Sequence, residues 1–209
     1  AISEAVDRQG TPWLRMFASA AAWIRPFPQR VRLEPGTQQV VRLLARPPAD
    51  LPDGEYWTRM IISGRGASVS LPTADSTVRV GVGLEIRLVT SVTYRKGNVT
   101  TGVALRSLTA EAEGDSLAVW ASLAREGNGA WLGTADIELT TARGTVVHRW
   151  SIPVSVYYPM RRRFAYPTGT LDPGDYKVRV RLRAERPDLP ANRVLPARTV
   201  TDSVSVRVI

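Results

Sequence analysis

From Thr77 to Arg95 the chain alternates apolar and other residues with a period of two. Val78, Val80, Val82, Leu84, Ile86, Leu88, Val92 and Tyr94 fall on one face, interrupted only by Thr90. The other face carries Arg79, Gly81, Gly83, Glu85, Arg87, Val89, Ser91 and Thr93. A helix would scatter these apolar positions around its circumference, whereas a strand lines them up. At ~3.3 Å per residue the stretch predicts one strand of roughly 60 Å, with Gly81 and Gly83 as places to bend. The same period runs through Tyr176, Val178, Val180, Leu182 and Ala184, and through Val200, Val204, Val206 and Val208. Further strands are expected over Thr37 to Arg46, Gly54 to Ser63, Ser116 to Ala124, Ala130 to Thr140 and Thr145 to Val156. Turn signals lie at Pro35-Gly36, Asp53-Gly54, Glu113-Gly114-Asp115, Gly127-Asn128-Gly129 and Pro173-Gly174. The best helical segment, Phe17 to Trp23, is short and is followed by Pro26 and Pro28. The expected class is all-β, a sandwich or a barrel.

An internal echo points to two similar domains. Leu51-Pro-Asp-Gly-Glu-Tyr56 precedes one strand and Leu171-Asp-Pro-Gly-Asp-Tyr176 precedes another, both reading Leu-x-x-Gly-acid-Tyr. In immunoglobulin-like sandwiches a tyrosine in this setting hydrogen-bonds back to the chain just upstream and pins the corner between the sheets. Two such corners predict two immunoglobulin-like β-sandwich domains in tandem, 1–96 and 97–209, divided at Lys96-Gly97-Asn98. Residues 1–18 read as mid-domain material, so the first domain is expected to lack its N-terminal strands. The chain opens on Ala1 rather than Met, which leads us to expect that an upstream segment has been removed.

Composition narrows the chemistry. Of 209 residues, 28 are Lys or Arg against 19 Asp or Glu, a formal charge of +9. Only Lys96 and Lys177 are lysines, a bias most simply read as codon usage. Single basic residues spread along strands form no nucleic-acid stripe, and no nucleic-acid partner is expected. Arg161-Arg162-Arg163 is the one cluster, expected at a loop–strand junction, where it can meet an acidic partner or the surface of a membrane. There is no cysteine, which excludes disulfides, cysteine nucleophiles and Cys-type zinc sites. No apolar run approaches the ~18 residues that span a bilayer.

No catalytic constellation emerges. Gly114-Asp115-Ser116-Leu117 spells the nucleophile signature of a lipase and esterase family. Polar residues precede it, however, and the sole histidine, His148, lacks the aspartate three residues before it that this family requires. One histidine without cysteine builds no conventional transition-metal site. Asp136 and Glu138 share a strand face, whereas glycosidases oppose their carboxylates across a cleft. The six tryptophans lie in or beside strands and are read as core. The expectation is a non-enzymatic protein without cofactor, metal or small-molecule substrate.

One resemblance gives this a direction. Pro28-Gln-Arg-Val-Arg-Leu-Glu-Pro-Gly, the following Gln-Gln-Val-Val-Arg-Leu-Leu44, and Asp53-Gly-Glu-Tyr-Trp-Thr-Arg-Met-Ile-Ile62 resemble the first domain of periplasmic pilus-assembly chaperones. The long strand ending Tyr94-Arg95 is similar to the last strand of that domain, which lends alternating apolar side chains to an incomplete subunit. The resemblance spans residues 20–96 and reaches the rest only in general plan. In that family a basic residue on the long strand grips the client's terminal carboxylate; Ser91 stands there in this chain, and Arg87 is the nearest base. The resemblance implies export to the periplasm or cell envelope, and binding of client or partner proteins by strand addition and in the cleft between domains. The partner-binding residues are then Val82, Leu84, Ile86, Arg87, Leu88 and Val92, with Arg161, Arg162 and Arg163. The alternative is an extrinsic structural subunit of a larger envelope or membrane complex.

Overall fold

A computed structural model describes residues 19–65, 69–71, 80–82 and 85–209. Its described residues are all-β, with helix limited to three single turns of 3-10 type. The chain forms two units, one of residues 1–52 and 56–95, the other of residues 53–55 and 96–209.

In the first unit β1 (Ile24–Phe27) pairs antiparallel with β2 (Arg42–Ala45). The second pair joins β3 (Gly54–Arg65) to β6 (Glu85–Lys96), and nested between them in sequence β4 (Val69–Leu71) pairs with β5 (Val80–Val82). The long strand expected over Thr77 to Arg95 is thus represented by β5 and β6, and residues 77–79 and 83–84 lie outside the described ones. The strand expected over Thr37 to Arg46 is limited to β2. Ser19–Ala22 is a 3-10 turn, and Phe17 lies outside the described residues.

The second unit has seven strands in two sheets. The strands β7 (Thr101–Glu113), β8 (Ser116–Gly127) and β11 (Met160–Pro167) form a sheet ordered β11-β8-β7. The strands β9 (Trp131–Thr141), β10 (Val146–Val156), β12 (Gly174–Arg183) and β13 (Val200–Val208) form the other, ordered β10-β9-β12-β13. The inward residues of both sheets meet in one core. Leu117, Val119, Ala121 and Leu123 come from β8; Trp131, Ala135, Ile137 and Leu139 from β9; Val178, Val180 and Leu182 from β12. Burying each Val or Leu of this set stabilises the unit by about 1.5–3 kcal/mol.

Two strands here were not foreseen, and each has a physical reason. In β7 the register shifts between Leu105 and Ser107, so Val103 and Leu105 are in phase with each other but not with Leu108 and Ala110. A bulge of this kind inserts one residue and erases a strict period of two. In β11 Met160, Phe164 and Tyr166 alternate correctly, but three consecutive arginines occupy the start of the strand. Arg161–Arg163 therefore sits within a strand and not at a loop–strand junction.

The repeated Leu-x-x-Gly-acid-Tyr motif adopts the same geometry twice. The Tyr176 hydroxyl donates to the Asp172 carbonyl at 2.7 Å and the Tyr56 hydroxyl to the Pro52 carbonyl at 2.9 Å, each four residues upstream. Gly54 and Gly174 open their strands with matching φ of 158° and 155°. Tyr176→Phe removes the donor and leaves a partly buried carbonyl unsatisfied, a loss of about 1–2 kcal/mol. Chemical denaturation followed by far-UV circular dichroism is expected to show that loss for Tyr176→Phe and a smaller one for Tyr56→Phe, where water reaches the exposed carbonyl. Equal losses would contradict this account.

Asn128 explains why three residues from the N-terminal half belong to the second unit. Its side chain donates to the carbonyls of Asp53 and Asn98, both at 3.0 Å, and accepts from the Thr100 N–H at 2.9 Å. Its own carbonyl accepts from Glu55 N–H at 3.0 Å. The Glu55 carboxylate, 7% exposed, in turn accepts from the Ala130 N–H at 3.2 Å.

Candidate functional site

The residues expected to bind a partner fall into three groups. Val82 lies on β5 opposite Val69. Leu84 lies outside the described residues. Ile86, Arg87, Leu88 and Val92 share β6.

Strand β6 forms because its β-branched and aliphatic residues suit a pleated surface and no glycine or proline interrupts it. Its two ends differ. Toward the C-terminal end, Tyr94 packs edge-on to Trp23 at 5.0 Å between ring centroids, and Trp23 meets Tyr56 of β3 in the same way at 6.2 Å. These aromatic contacts, about 0.5–1.5 kcal/mol each beyond simple burial, anchor that end, and Val92 and Tyr94 are half-buried. Toward the N-terminal end nothing comparable covers the strand among the described residues. Ile86 is 52% exposed, Leu88 60% and Val89 62%, so both faces are open. Arg87 pairs with Glu85 at 2.8 Å on the exposed surface, and such a pair adds at most ~1 kcal/mol.

Among the described residues the sheet partner of β6 is β3 alone. Proteins ordinarily blunt the edges of sheets with proline, a bulge or charge. The second unit does this on its edge strand β10, which has Pro153 and a register shift between Val146 and His148. β6 contains no proline.

Sequence reading missed further exposed apolar residues of this unit. Val40, Val41, Leu43, Leu44, Ile61 and Ile62 are also exposed. Adjacent apolar pairs were the available signal, because neighbouring strand residues point to opposite faces and cannot both enter one core.

The three arginines of β11 do not form one patch. Arg161 and Arg163 are exposed on one face, where the Arg161 guanidinium lies 4.3 Å from the Trp120 ring centroid. Arg163 reaches Glu113 at 3.3 Å and the Ser116 hydroxyl at 2.9 Å. Arg162 alternates to the opposite face and is half-buried. Trp120 is accordingly a surface platform under a cation, not core. Trp150 likewise stacks half-buried with Tyr166 and His148 at 5.7 and 5.5 Å. Trp23 and Trp131 are buried, at 8% and 0% exposure, and Trp13 lies outside the described residues.

The paired carboxylates are each held by arginine. Asp136 accepts from Arg183 at 2.5 Å and from the Ser151 hydroxyl at 2.8 Å. The Arg183 hydrogen bond, ahead of other causes, holds the Asp136 carboxyl below the usual carboxylate range. Glu138 is shared by Arg149 at 2.6 Å and Arg179 at 3.3 Å. Among the described residues no cluster of three or more His, Cys, Asp or Glu is placed to hold a metal ion, and no helix is long and apolar enough to cross a membrane.

No family model matches the chain, and no curated protein matches it.

Proposed function

We propose that this chain is a non-enzymatic, exported protein-binding protein of two immunoglobulin-like domains, which holds extended segments of partner proteins by adding them as strands to β6. The observation that carries the reading is β6 itself, which contains no proline and whose apolar residues Ile86, Leu88 and Val89 are open on both faces. Strand addition draws affinity from backbone hydrogen bonds and specificity from alternating side-chain contacts. An exposed apolar surface of this kind marks an interaction site. Support for the immunoglobulin-like assignment comes from the second unit's two sheets of three and four strands. Its third strand opens on the fully buried Trp131, and its sixth carries the Tyr176 corner. The equivalent Tyr56 corner extends the assignment to the first unit. Export and the chaperone-like role rest on the resemblance of residues 20–96.

The test uses fluorescent twelve-residue peptides of alternating Val or Ile and polar residues, titrated against the full chain by anisotropy. Leu88→Asp places a charge in the binding face and is expected to weaken the interaction at least tenfold, or about 1.4 kcal/mol. Unfolding of the second unit should be unchanged, since Leu88 lies in the other unit. A proline at the centre of the peptide, which removes a ladder donor, should weaken binding similarly. Affinity indifferent to both changes would sink the proposal.

A further inference from the structure

We infer that Asn128–Gly129 is a self-modification site: a latch that the fold holds shut and that opens irreversibly when the Asn128 side chain deamidates. Strand addition at β6 plays no part in it.

The dipeptide supplies the chemistry. Asparagine is thermolabile, because the backbone nitrogen of the next residue can attack its side-chain carbonyl carbon. Glycine in that next position offers the least steric hindrance and the most backbone freedom. Of the three asparagines, Asn98, Asn128 and Asn192, only Asn128 precedes a glycine. The Gly129 nitrogen loses its proton and bonds to Asn128 Cγ. The Cγ–Nδ2 bond breaks, and the amide nitrogen leaves as ammonia, taking up that proton. Water then opens the resulting succinimide at either of its carbonyls, leaving an aspartyl or isoaspartyl residue with one new negative charge. Nothing is oxidised or reduced.

The fold both imposes this pair and restrains it. A Cβ at residue 129 would lie 2.8 Å from Val99 Cγ1 and 3.1 Å from Leu195 Cδ1, so packing selects glycine there. Residue 128 has to donate to the carbonyls of Asp53 and Asn98 and accept from the Thr100 N–H through one short side chain, which selects asparagine. The same contacts oppose the reaction. The Gly129 N–H donates to the Thr100 carbonyl at 2.9 Å, so the nucleophile keeps its proton and its direction. Nδ2, the leaving group, is held by two carbonyls at 3.0 Å each. Deamidation therefore requires local opening of this clamp, and its rate follows the population of the open state.

The product cannot close the clamp again. An aspartyl carboxylate has no donor for the Asp53 and Asn98 carbonyls, and an isoaspartyl link adds a methylene to the backbone. Two acids already sit here. The Asp53 carboxylate accepts from the Asn98 N–H at 2.9 Å, and the Glu55 carboxylate from the Ala130 N–H at 3.2 Å. A third negative charge beside them is disfavoured. Asp53–Glu55, which belongs to the second unit, is then released from the rest of it.

The test follows the full chain in mildly alkaline buffer by peptide mass mapping, folded and in enough urea to unfold it. In urea Asn128 is expected to deamidate at least tenfold faster than Asn98 or Asn192. In the folded chain Asn128 should react at least tenfold more slowly than in urea. Asp53→Ala removes the acceptor of the Asn98 N–H and is expected to speed the folded-state reaction about tenfold, the equivalent of one charge-assisted hydrogen bond. The modified chain, separated by its extra charge, should exchange the Glu55 amide hydrogen at least tenfold faster than the unmodified chain, with Val178 and Val180 unchanged. Asn128→Asp supplies the aspartyl product directly and should behave alike. Deamidation of Asn128 as fast in the folded chain as in urea overturns the inference. So does a modified chain whose Glu55 amide is as protected as before.

Discussion

Trp131→Ala is expected to cost the second unit about 3–5 kcal/mol, the range for removing a large aromatic side chain from a core. Trp131 has no exposed surface and opens β9 at the point where the two sheets share their apolar residues. Domains of this size have a total stability of about 5–15 kcal/mol, so the loss is a large fraction of the whole. Burial of the indole outweighs a local defect, because its N–H has no hydrogen-bond partner among the described residues. That defect reduces the net effect slightly and sets the lower end of the range. Urea unfolding followed by far-UV circular dichroism avoids dependence on tryptophan emission. A loss below about 1 kcal/mol would mean that the core closes over the vacancy, contrary to the usual incomplete relaxation of cavities.

Gly133→Ala is expected to be nearly as damaging for the opposite reason. Gly133 lies two residues along β9, on the same face as Trp131. A Cβ there collides with the indole ring and with the backbone carbonyl of Arg183 on the neighbouring β12. Overfilling a packed site costs about 1–3 kcal/mol and occasionally more, and a ladder carbonyl cannot swing aside as a flexible side chain does. The double variant Trp131→Ala, Gly133→Ala should therefore be more stable than the sum of the single effects implies. The coupling is expected at about 1 kcal/mol, since one of the two collisions is removed and the other is kept. Strict additivity would show that the indole does not lie over Gly133.

The second unit was largely readable before its structure. Val178, Val180 and Leu182 have a period of two because one sheet face meets a core, and the burial pattern of β12 follows the prediction residue by residue. The tyrosine corners were readable too, since a turn, a glycine and a tyrosine four residues beyond its acceptor are local in sequence. Strands β7 and β11 were not readable. The bulge beyond Leu105 and the arginines of β11 break the local pattern, and only pairing with β8 on either side supplies the missing hydrogen bonds.

The candidate site was legible as a strand but not as a surface. Alternation placed Ile86, Leu88 and Val92 on one face and Val89 on the other. The exposure of Ile86, Leu88 and Val89 shows that both faces are open at that end. The sequence by itself determined the all-β class, the repeated corner motif and the residues able to line a core, because these depend on periods of two and on contacts within a few residues. Only the tertiary structure decided which apolar residues are buried, that Asn128 draws Asp53–Glu55 into the second unit, and that Arg161 and Arg163 part from Arg162 across a sheet. Those outcomes depend on which strands pair, and pairing between distant segments leaves no periodic trace in either one.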